Sequence, residues 1–268
     1  ALQAEWLDFV IIGGGPTGVE LAGTLAEIAR HTLPREFRHS DPRRSHIHLV
    51  EAGARVLASM PESLSMKARR QLENLGVSVH TGAAVTGVDR HGVVFGDQRI
   101  AARTVIWAAG VAASPLGATL GAARDRAGRV EVAADLSLPA NPEVFVIGDL
   151  AGVVQDGAPV PGVAPAAKQM GAHAARSIRA RLAGRASKPF RYRDYGNLAT
   201  IGRMAAVVDL RGLRFSGAAA WLFWLVAHIF FLIGFRNRVI VMGEWIASYV
   251  TYQRHARIII GRDRTPER

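Results

Sequence analysis

The chain has no cysteine among its 268 residues. That excludes disulfide staples, thiolate metal sites, a cysteine nucleophile and a catalytic dithiol. The opening ALQAEWLDFV lacks a basic stretch ahead of an apolar core and a small-residue cleavage site, so it does not read as a signal peptide. Internal repeats and low-complexity tracts are absent too. Acids are in the minority, 22 against 33 Lys+Arg, and the formal net charge is +11. Residues 191–268 hold 12 Arg and 5 acids, so most of the excess sits at the C-terminal end. A basic excess serves nucleic acid or an anionic membrane surface. Here it accompanies an apolar, aromatic-rich segment and no recognisable nucleic-acid module, which puts nucleic acid last. With 49% hydrophobic residues the composition is globular rather than disordered. At about 100–200 residues per domain, the length suits one large domain or two small ones.

Short β-branched runs alternate with helical stretches over the first 112 residues, the pattern of a parallel sheet covered by helices. Strands are expected at Asp8–Ile12, His46–Glu51 and Val77–His80, then near Ala84–Asp89 and Gly92–Phe95, and last at Thr104–Trp107, which runs into the turn Ala108-Ala109-Gly110. Helices are expected at Gly18–Arg30, Ser63–Leu75 and Ala166–Ala183, with a buried strand at Val144–Ile147. A strand-like stretch near Leu198–Leu210 precedes the most apolar segment. The expected division is 1–112, 113–190 and 191–268.

Between the first strand and the first helix lies Gly13-Gly14-Gly15-Pro16-Thr17-Gly18, and its flanks are those a dinucleotide-binding turn requires. Gly13 permits the tight turn, Gly15 lets the backbone approach a pyrophosphate, and Gly18 lets helix and strand pack closely. The phosphates then face free N–H groups at the helix start. An ordinary strand-to-helix turn is the alternative. Glu51 closes the second strand, where a carboxylate holds the adenosine ribose and repels a 2′-phosphate, favouring NADH over NADPH. It lies 33 residues past Gly18, against a usual separation of about 20, so His31–Ser45 reads as an insertion. Arg55 is placed to blunt the preference, and a solvated strand-end acid is the plainer reading of Glu51. Glu20, just inside the helix, lies near where a nicotinamide would approach, although an acid in a first turn also stabilises the helix dipole.

Val144–Ile147 leads into Gly148-Asp149 and then the helix opening near Ala166, again strand, acid and helix start. Asp149 is able to accept from a ribityl hydroxyl while the helix start faces a flavin's polar edge. By pattern alone, an Asp capping a turn is the simpler reading.

Taken together, GGGPTGVELAG, HLVEAG, TVIWAAGV, VFVIGDLA, PGVAPAAKQMG and HIFFLIGFRNR resemble the two-dinucleotide-binding flavoproteins, specifically the type II, non-proton-pumping NADH:quinone oxidoreductases. The resemblance runs from about Asp8 to Gly261. It implies an α/β fold with a Rossmann-like NADH-binding domain, a remnant of the FAD-binding domain and a C-terminal membrane-associating helical region. It also implies FAD and NADH as cofactors, hydride transfer from nicotinamide C4 to flavin N5, and two electrons to a membrane quinone. Gly13 to Gly18 and Glu51 would hold NADH, with Ala109 and Gly110 beside the cofactors. Gly148, Asp149, Ala166 and Ala167 would meet FAD. Glu20 matches an acid beside nicotinamide and flavin. The quinone-side motif Ala-Gln-x-Ala-x-Gln reads Ala164-Pro165-Ala166-Ala167-Lys168-Gln169 here, so only Gln169 carries over as a donor, and Lys168 would favour a reduced, anionic flavin. The missing cysteines exclude the disulfide-reducing relatives. No metal is expected.

Family members carry a further glycine turn ahead of the NADH domain for the FAD adenine half. The expectation is that this chain starts after it, as a fragment or as half of a split enzyme whose partner chain supplies the rest, and that it holds FAD weakly alone. A non-catalytic NADH-sensing module is the alternative function. A homodimer is a further expectation.

Gly217–Phe235 has no fixed charge and one histidine, His228, and would measure about 28 Å as a helix. That barely meets the length for spanning. Arg211 and Arg214 precede it while Arg236 and Arg238 follow, so loop charge gives no orientation. Met242, Trp245, Tyr249 and Tyr252 then recur at helical spacing, as on an interfacial helix. A buried core helix is the alternative. The resemblance favours monotopic attachment through residues 217–260, on the cytoplasmic face of the inner membrane.

Overall fold

The computed structural model describes residues 5–35, 41–231 and 235–251. Tyr252, part of the expected insertion at 36–40, Leu232, Ile233 and Gly234 of the HIFFLIGFRNR motif, and the stretch 252–261 lie outside them, as does the side chain of Tyr249. Two compact units form, one from residues 1–109 with 197–268 and the other from 110–196.

In the first unit, β1 (Asp8–Ile12), β2 (His46–Glu51), β3 (Val77–Thr81) and β7 (Thr104–Trp107) form a parallel sheet in the order β3-β2-β1-β7. The bounds of β1, β2 and β7 are those expected from the sequence. As an edge strand β7 is only half-buried, and Trp107 is 64% exposed, so it is not the buried strand its β-branched run suggested. Helix α1 (Pro16–Glu27) and helix α2 (Glu62–Asn74) cover one face. Past Glu27 the α1 backbone loosens into a wide turn at Ile28–Thr32 and a tight one at Leu33–Arg35, short of the expected end at Arg30. An antiparallel meander of β4 (Val85–Asp89), β5 (Gly92–Phe95) and β6 (Gln98–Ala101) covers the other face, where Val93 and Phe95 pack on Val10, Ile12 and Val50. Strand β6 was not foreseen; QRIA lacks the β-branched density that marks a strand.

Strands β12 (Asn197–Gly202), β13 (Ala205–Leu210) and β14 (Leu213–Ser216) make a second antiparallel sheet. Ala199, Ile201 and Val207 join the same core as Ile11, Leu49 and Leu72. The C-terminal strands therefore complete the N-terminal core. Gly23 sets the approach, because a Cβ there would lie 1.5 Å from the Ile201 carbonyl oxygen. Helix α4 (Ala218–Phe231) follows, and α5 (Phe235–Thr251) comes after it. At 14 residues α4 spans about 21 Å, well short of a bilayer core of about 30 Å. Among the described residues, no helix is long and apolar enough to cross a membrane.

The second unit has less regular structure: two-residue strands β8 (Val130–Glu131), β9 (Ala151–Gly152), β10 (Val154–Gln155) and β11 (Ala158–Pro159), with one long helix, α3 (Ala164–Leu182). Its core gathers Val130, Leu136, Leu138, Val146, Ala166 and Met170. The expected buried strand at Val144–Ile147 does not form. Phe145 makes a single bridge to Ser137, and Ile147 is 41% exposed. The physical reason is pairing: Val144 O accepts from Leu138 N and Val146 N donates to Leu136 O on one side, and Leu136 takes φ +73°, which breaks the ladder there.

Candidate functional site: a glycine turn and a strand-end carboxylate

The glycine turn leaves β1 against the end of β7. Gly13 has φ +113°, and a Cβ on it would lie 2.6 Å from Ala108 O and 2.7 Å from Ala109 Cα. Its N–H donates to Val50 O at 2.8 Å. A Cβ on Gly18 would meet Gly13 O at 1.8 Å, so helix and strand touch as the spacing predicts. Gly15, which caps α1, has open space beside it. Pro16, at the first helical position, has no N–H, and the Val19 N–H closes the first intrahelical bond to Gly15 O at 3.0 Å. The Thr17 and Gly18 N–H groups thus fall in the turn whose donors a helix leaves for an external acceptor. A cradle of this shape fits a pyrophosphate.

Glu51 is placed by β2 directly across the turn. Its carboxylate accepts from Gly14 N at 2.5 Å and from Gly53 N at 2.6 Å. It is half-buried and doubly bonded, not a solvated strand-end acid. Arg55 is spent elsewhere, donating to Met60 O at 2.5 Å and Ala58 O at 2.9 Å. The carboxylate therefore stands without the arginine that would offset its repulsion of a 2′-phosphate.

Glu20 is the fifth residue of α1, because the helix starts at Pro16 rather than Gly18. That places it beyond the first turn, where the dipole effect has faded. Its Oε1 accepts from Thr200 N at 3.3 Å, and two turns on Glu27 Oε1 accepts from Arg203 N. Both glutamates thus satisfy backbone donors of the β12–β13 hairpin. Burial pushes the Glu20 carboxyl above the ordinary glutamate range, against the Thr200 hydrogen bond and the nearby charge of His228, which both lower it. Sequence reasoning missed Gly23 and Glu27 as the other parts of this contact. A glycine inside a helix costs about 1 kcal/mol against alanine, which was the available signal.

In the second unit Gly148 has φ +67° and Asp149 sits exposed in a tight turn, with its Oδ1 3.3 Å from where a Gly162 Cβ would be. Ala166 is a core residue, 1% exposed. The Ala166 and Ala167 N–H groups both donate to Val163 O, at 3.0 and 3.1 Å, and Pro165 has none, so the α3 start offers few donors to a ligand. Lys168 is exposed. Gln169 donates from Nε2 to Arg193 O and accepts at Oε1 from Arg193 N, both at 2.9 Å. A carboxamide has two N–H bonds and two acceptor sites, so this clamp takes half its capacity. Gly110 has φ +103° with open space beside it, and Ala109 is exposed. Among the described residues, no set of three or more His, Asp or Glu is placed to hold a metal.

The sheet order, the glycine turn and the strand-end acid define a Rossmann-like α/β domain. Residues 1–171 match the family model of the pyridine nucleotide-disulphide oxidoreductases, and residues 195–255 match the NDH2 C-terminal domain. The chain belongs to the pyridine nucleotide-disulphide oxidoreductase family, in its NDH2 group. It is 42% identical over 264 residues to the type II NADH:quinone oxidoreductase Ndh of Mycobacterium tuberculosis, covering 94% of this chain and 56% of that protein. NdhA of the same organism is also 42% identical, over 258 residues, with 91% of this chain and 54% of the relative covered. The chain thus spans about half the length of the curated relatives it matches. Among solved structures, NDH2 of Plasmodium falciparum in complex with NADH superposes with a TM-score of 0.83 at 17% identity, covering 95% of this chain and 68% of that one, which shows a shared fold.

Proposed function

We propose that the chain carries the NADH-binding and quinone-side parts of a type II NADH:quinone oxidoreductase, in which NADH, a proton and a quinone give NAD+ and quinol. The observation that carries this reading is the Glu51 carboxylate fixed by Gly14 and Gly53 N–H across an open glycine turn. Glu51 accepts from the ribose hydroxyls and excludes a phosphate by like charge. Thr17 and Gly18 N–H receive the pyrophosphate. Glu20, whose carboxyl burial pushes above the ordinary glutamate range, faces the place where the reacting ring would lie. Asp149 accepts from a ribityl hydroxyl, Lys168 supplies positive charge, and the remaining N–H of Gln169 donates to quinone. When bound, FAD supplies the two-electron relay between donor and acceptor. We place the contacts for its adenine half outside the described residues, which hold a single strand, glycine turn and helix of this kind.

The same reading puts the chain on the cytoplasmic face of the inner membrane as a monotopic protein. Leu222, Val226 and Phe230 are 57%, 58% and 64% exposed and recur every four residues along α4. Phe235, Val239, Met242 and Ile246 form a matching stripe on α5. Two exposed apolar stripes of this size suit a lipid surface. Trp245, by contrast, turns inward to stack on Trp224 at 5.5 Å.

The test is titration of the purified chain with NADH and NADPH, followed by quinone reduction with FAD added. NADH binding much tighter than NADPH, relaxed in Glu51→Gln, is the expected result; equal binding by the native chain overturns the assignment of Glu51. NADH binding with no quinone reduction, even with the relatives' remaining segment supplied, would instead favour a sensing module. Flotation with vesicles tests the membrane role, and a chain that stays soluble without lipid or detergent overturns it.

A further inference from the structure

Residues 157–193, all within the second unit, carry eight Lys and Arg and no acid. Packing brings five of these charges onto adjoining elements. Helix α3 ends at Leu182, and Gly184, at φ +70°, turns the chain back, with Arg185 N donating to Ala180 O at 2.8 Å. The strap that follows runs back along the helix. Arg181 Nε donates to Ser187 Oγ at 3.0 Å, the Phe190 ring meets the His173 ring at 5.5 Å, and Gln169 closes on Arg193 at 2.9 Å. Helix and strap thus lie side by side, with Arg176 and Arg179 on the one and Arg185, Lys188 and Arg191 on the other. All five residues are exposed, and none makes an ion pair among the described residues. Arg181, by contrast, pairs with Asp135 at 2.5 Å.

A cation in a helix's last turn offsets the helix dipole, which accounts for Arg179. Arg185, Lys188 and Arg191 lie past the helix end, and unpaired like charges on adjoining elements repel one another unless an anion covers them. The surface has an apolar part as well. Ile178 and Leu182, one turn apart on α3, are 45% and 84% exposed. Cations for phosphates beside aliphatic chains for the acyl boundary make the composition of an interfacial lipid contact. A single-stranded nucleic acid would instead need exposed rings to stack on, and the strap's own aromatics, Phe190 and Tyr192, pack against the core of the unit. We propose that the outer face of α3 and the strap form a second membrane contact, one that takes the phosphates of anionic lipid headgroups. The monotopic reading above needs only the stripes of α4 and α5, so either contact can fail without the other.

The experiment measures partitioning of the full chain onto vesicles of phosphatidylcholine alone and of phosphatidylcholine with phosphatidylglycerol, at low and high salt. The native chain should bind the anionic vesicles more tightly, and high salt should remove most of the difference. A fourfold variant carries Arg179→Gln, Arg185→Gln, Lys188→Gln and Arg191→Gln. Each lost charge should weaken anionic binding about fivefold, and the four together on the order of a hundredfold or more, with neutral binding unchanged. Replacing the three arginines with Lys should keep binding near the native level. Equal anionic binding by the native chain and the fourfold variant overturns the proposal, and neutral binding by both then leaves the stripes standing. Anionic binding lost in the variant, with no neutral binding by either, supports the proposal and overturns the stripes. Failure of the native chain to bind either vesicle overturns both. Amide exchange at Arg193, held by Gln169, reports whether the strap keeps its place. If the fourfold variant loses that protection, single Gln substitutions at Arg185, Lys188 and Arg191 decide, and three that bind at the native level overturn the proposal. Polyglutamate added without lipid tests the other polyanion. Tighter binding than to anionic vesicles at equal charge, lost in the variant, assigns the surface to an acidic polypeptide and overturns the lipid contact.

Discussion

The two units are held together in different ways. The first builds its core on strand ladders, and among its largest buried side chains Ile11, Ile47, Leu49 and Ile201 come from strands of two sheets. The second has two-residue strands and depends on side chains that bond backbone. Gln155 and Gln169 each clamp both the N–H and the carbonyl of one residue, Tyr192 and Arg193 respectively. Arg181 donates to Asp135 at 2.5 Å and to Pro142 O, and lies over the Phe145 ring at 4.9 Å. The difference teaches that parallel ladders are read from local pattern, whereas a loop-rich unit is fixed by long polar side chains reaching far along the chain.

Gly23→Ala should break the first unit most severely. Its Cβ would collide with the Ile201 backbone oxygen, which has no rotamer to yield, and the loss should be about 3 kcal/mol. Hydrogen exchange by mass spectrometry would show β12 and β13 opening together with α1. Exchange confined to α1 would mean the hairpin is not part of that core.

Arg181→Ala should cost the second unit about 2 kcal/mol, since it leaves a half-buried carboxylate without its cation. Asp135 is pulled down to about 2 and stays ionised to that pH: burial raises it, but hydrogen bonds from Ser137, Arg181 and Ser187 outweigh burial. A depressed carboxylate adds stability above its ordinary value near 3.8, lost as pH falls through about 2. In the variant that loss should be smaller and complete at higher pH, measured by acid unfolding. An unchanged acid limb would show that Ser137 and Ser187 hold the carboxylate without Arg181.

Gln169→Ala should cost about 1 kcal/mol and raise exchange at Arg193 while leaving Tyr192 to its own clamp, Gln155. Gln155→Ala should do the reverse. Exchange rising at both residues in either variant would show one cooperative strap instead of two clamps.

The smallest effect concerns His48 and His80, whose Nδ1 and Nε2 atoms lie 3.3 Å apart on β2 and β3. Burial pushes both imidazoles below the ordinary histidine value, helped for His48 by His80 and for His80 by Arg69. Both are neutral when folded, so their contribution is complete above about 6.5 and is lost as pH falls through the lowered values. Replacing both with Asn should flatten the stability slope below that pH, measured by urea titration. An unchanged slope would assign it to His173 of the second unit, whose value burial also lowers.

Much of the first unit was legible in advance. The DFVII, HIHLVE and TVIW runs gave strands with the expected bounds, and GGGPTG gave the turn, because both are local: β-branched runs and positive-φ glycines limit the backbone over a few residues. Glu51 was placed by its strand end. Val144–Ile147 was misread since a buried run becomes a ladder only where two neighbours pair with it. The apolar run Gly217–Phe235 reads as 19 helical residues of just spanning length, whereas α4 covers 14 of them among the described residues.

The sequence by itself determined where the chain turns, which residues line the parallel sheet and which carboxylate faces the glycine turn, all governed by sterics within one βαβ unit. Only the tertiary structure decided what the polar side chains do. Glu20 bonds Thr200 across 180 positions, Gln169 closes on Arg193, and Arg55 turns back to its own loop instead of a phosphate. The physical reason is reach: a long side chain has several rotamers and takes whichever buried backbone group lacks a partner, and that group is known only once the chain has packed.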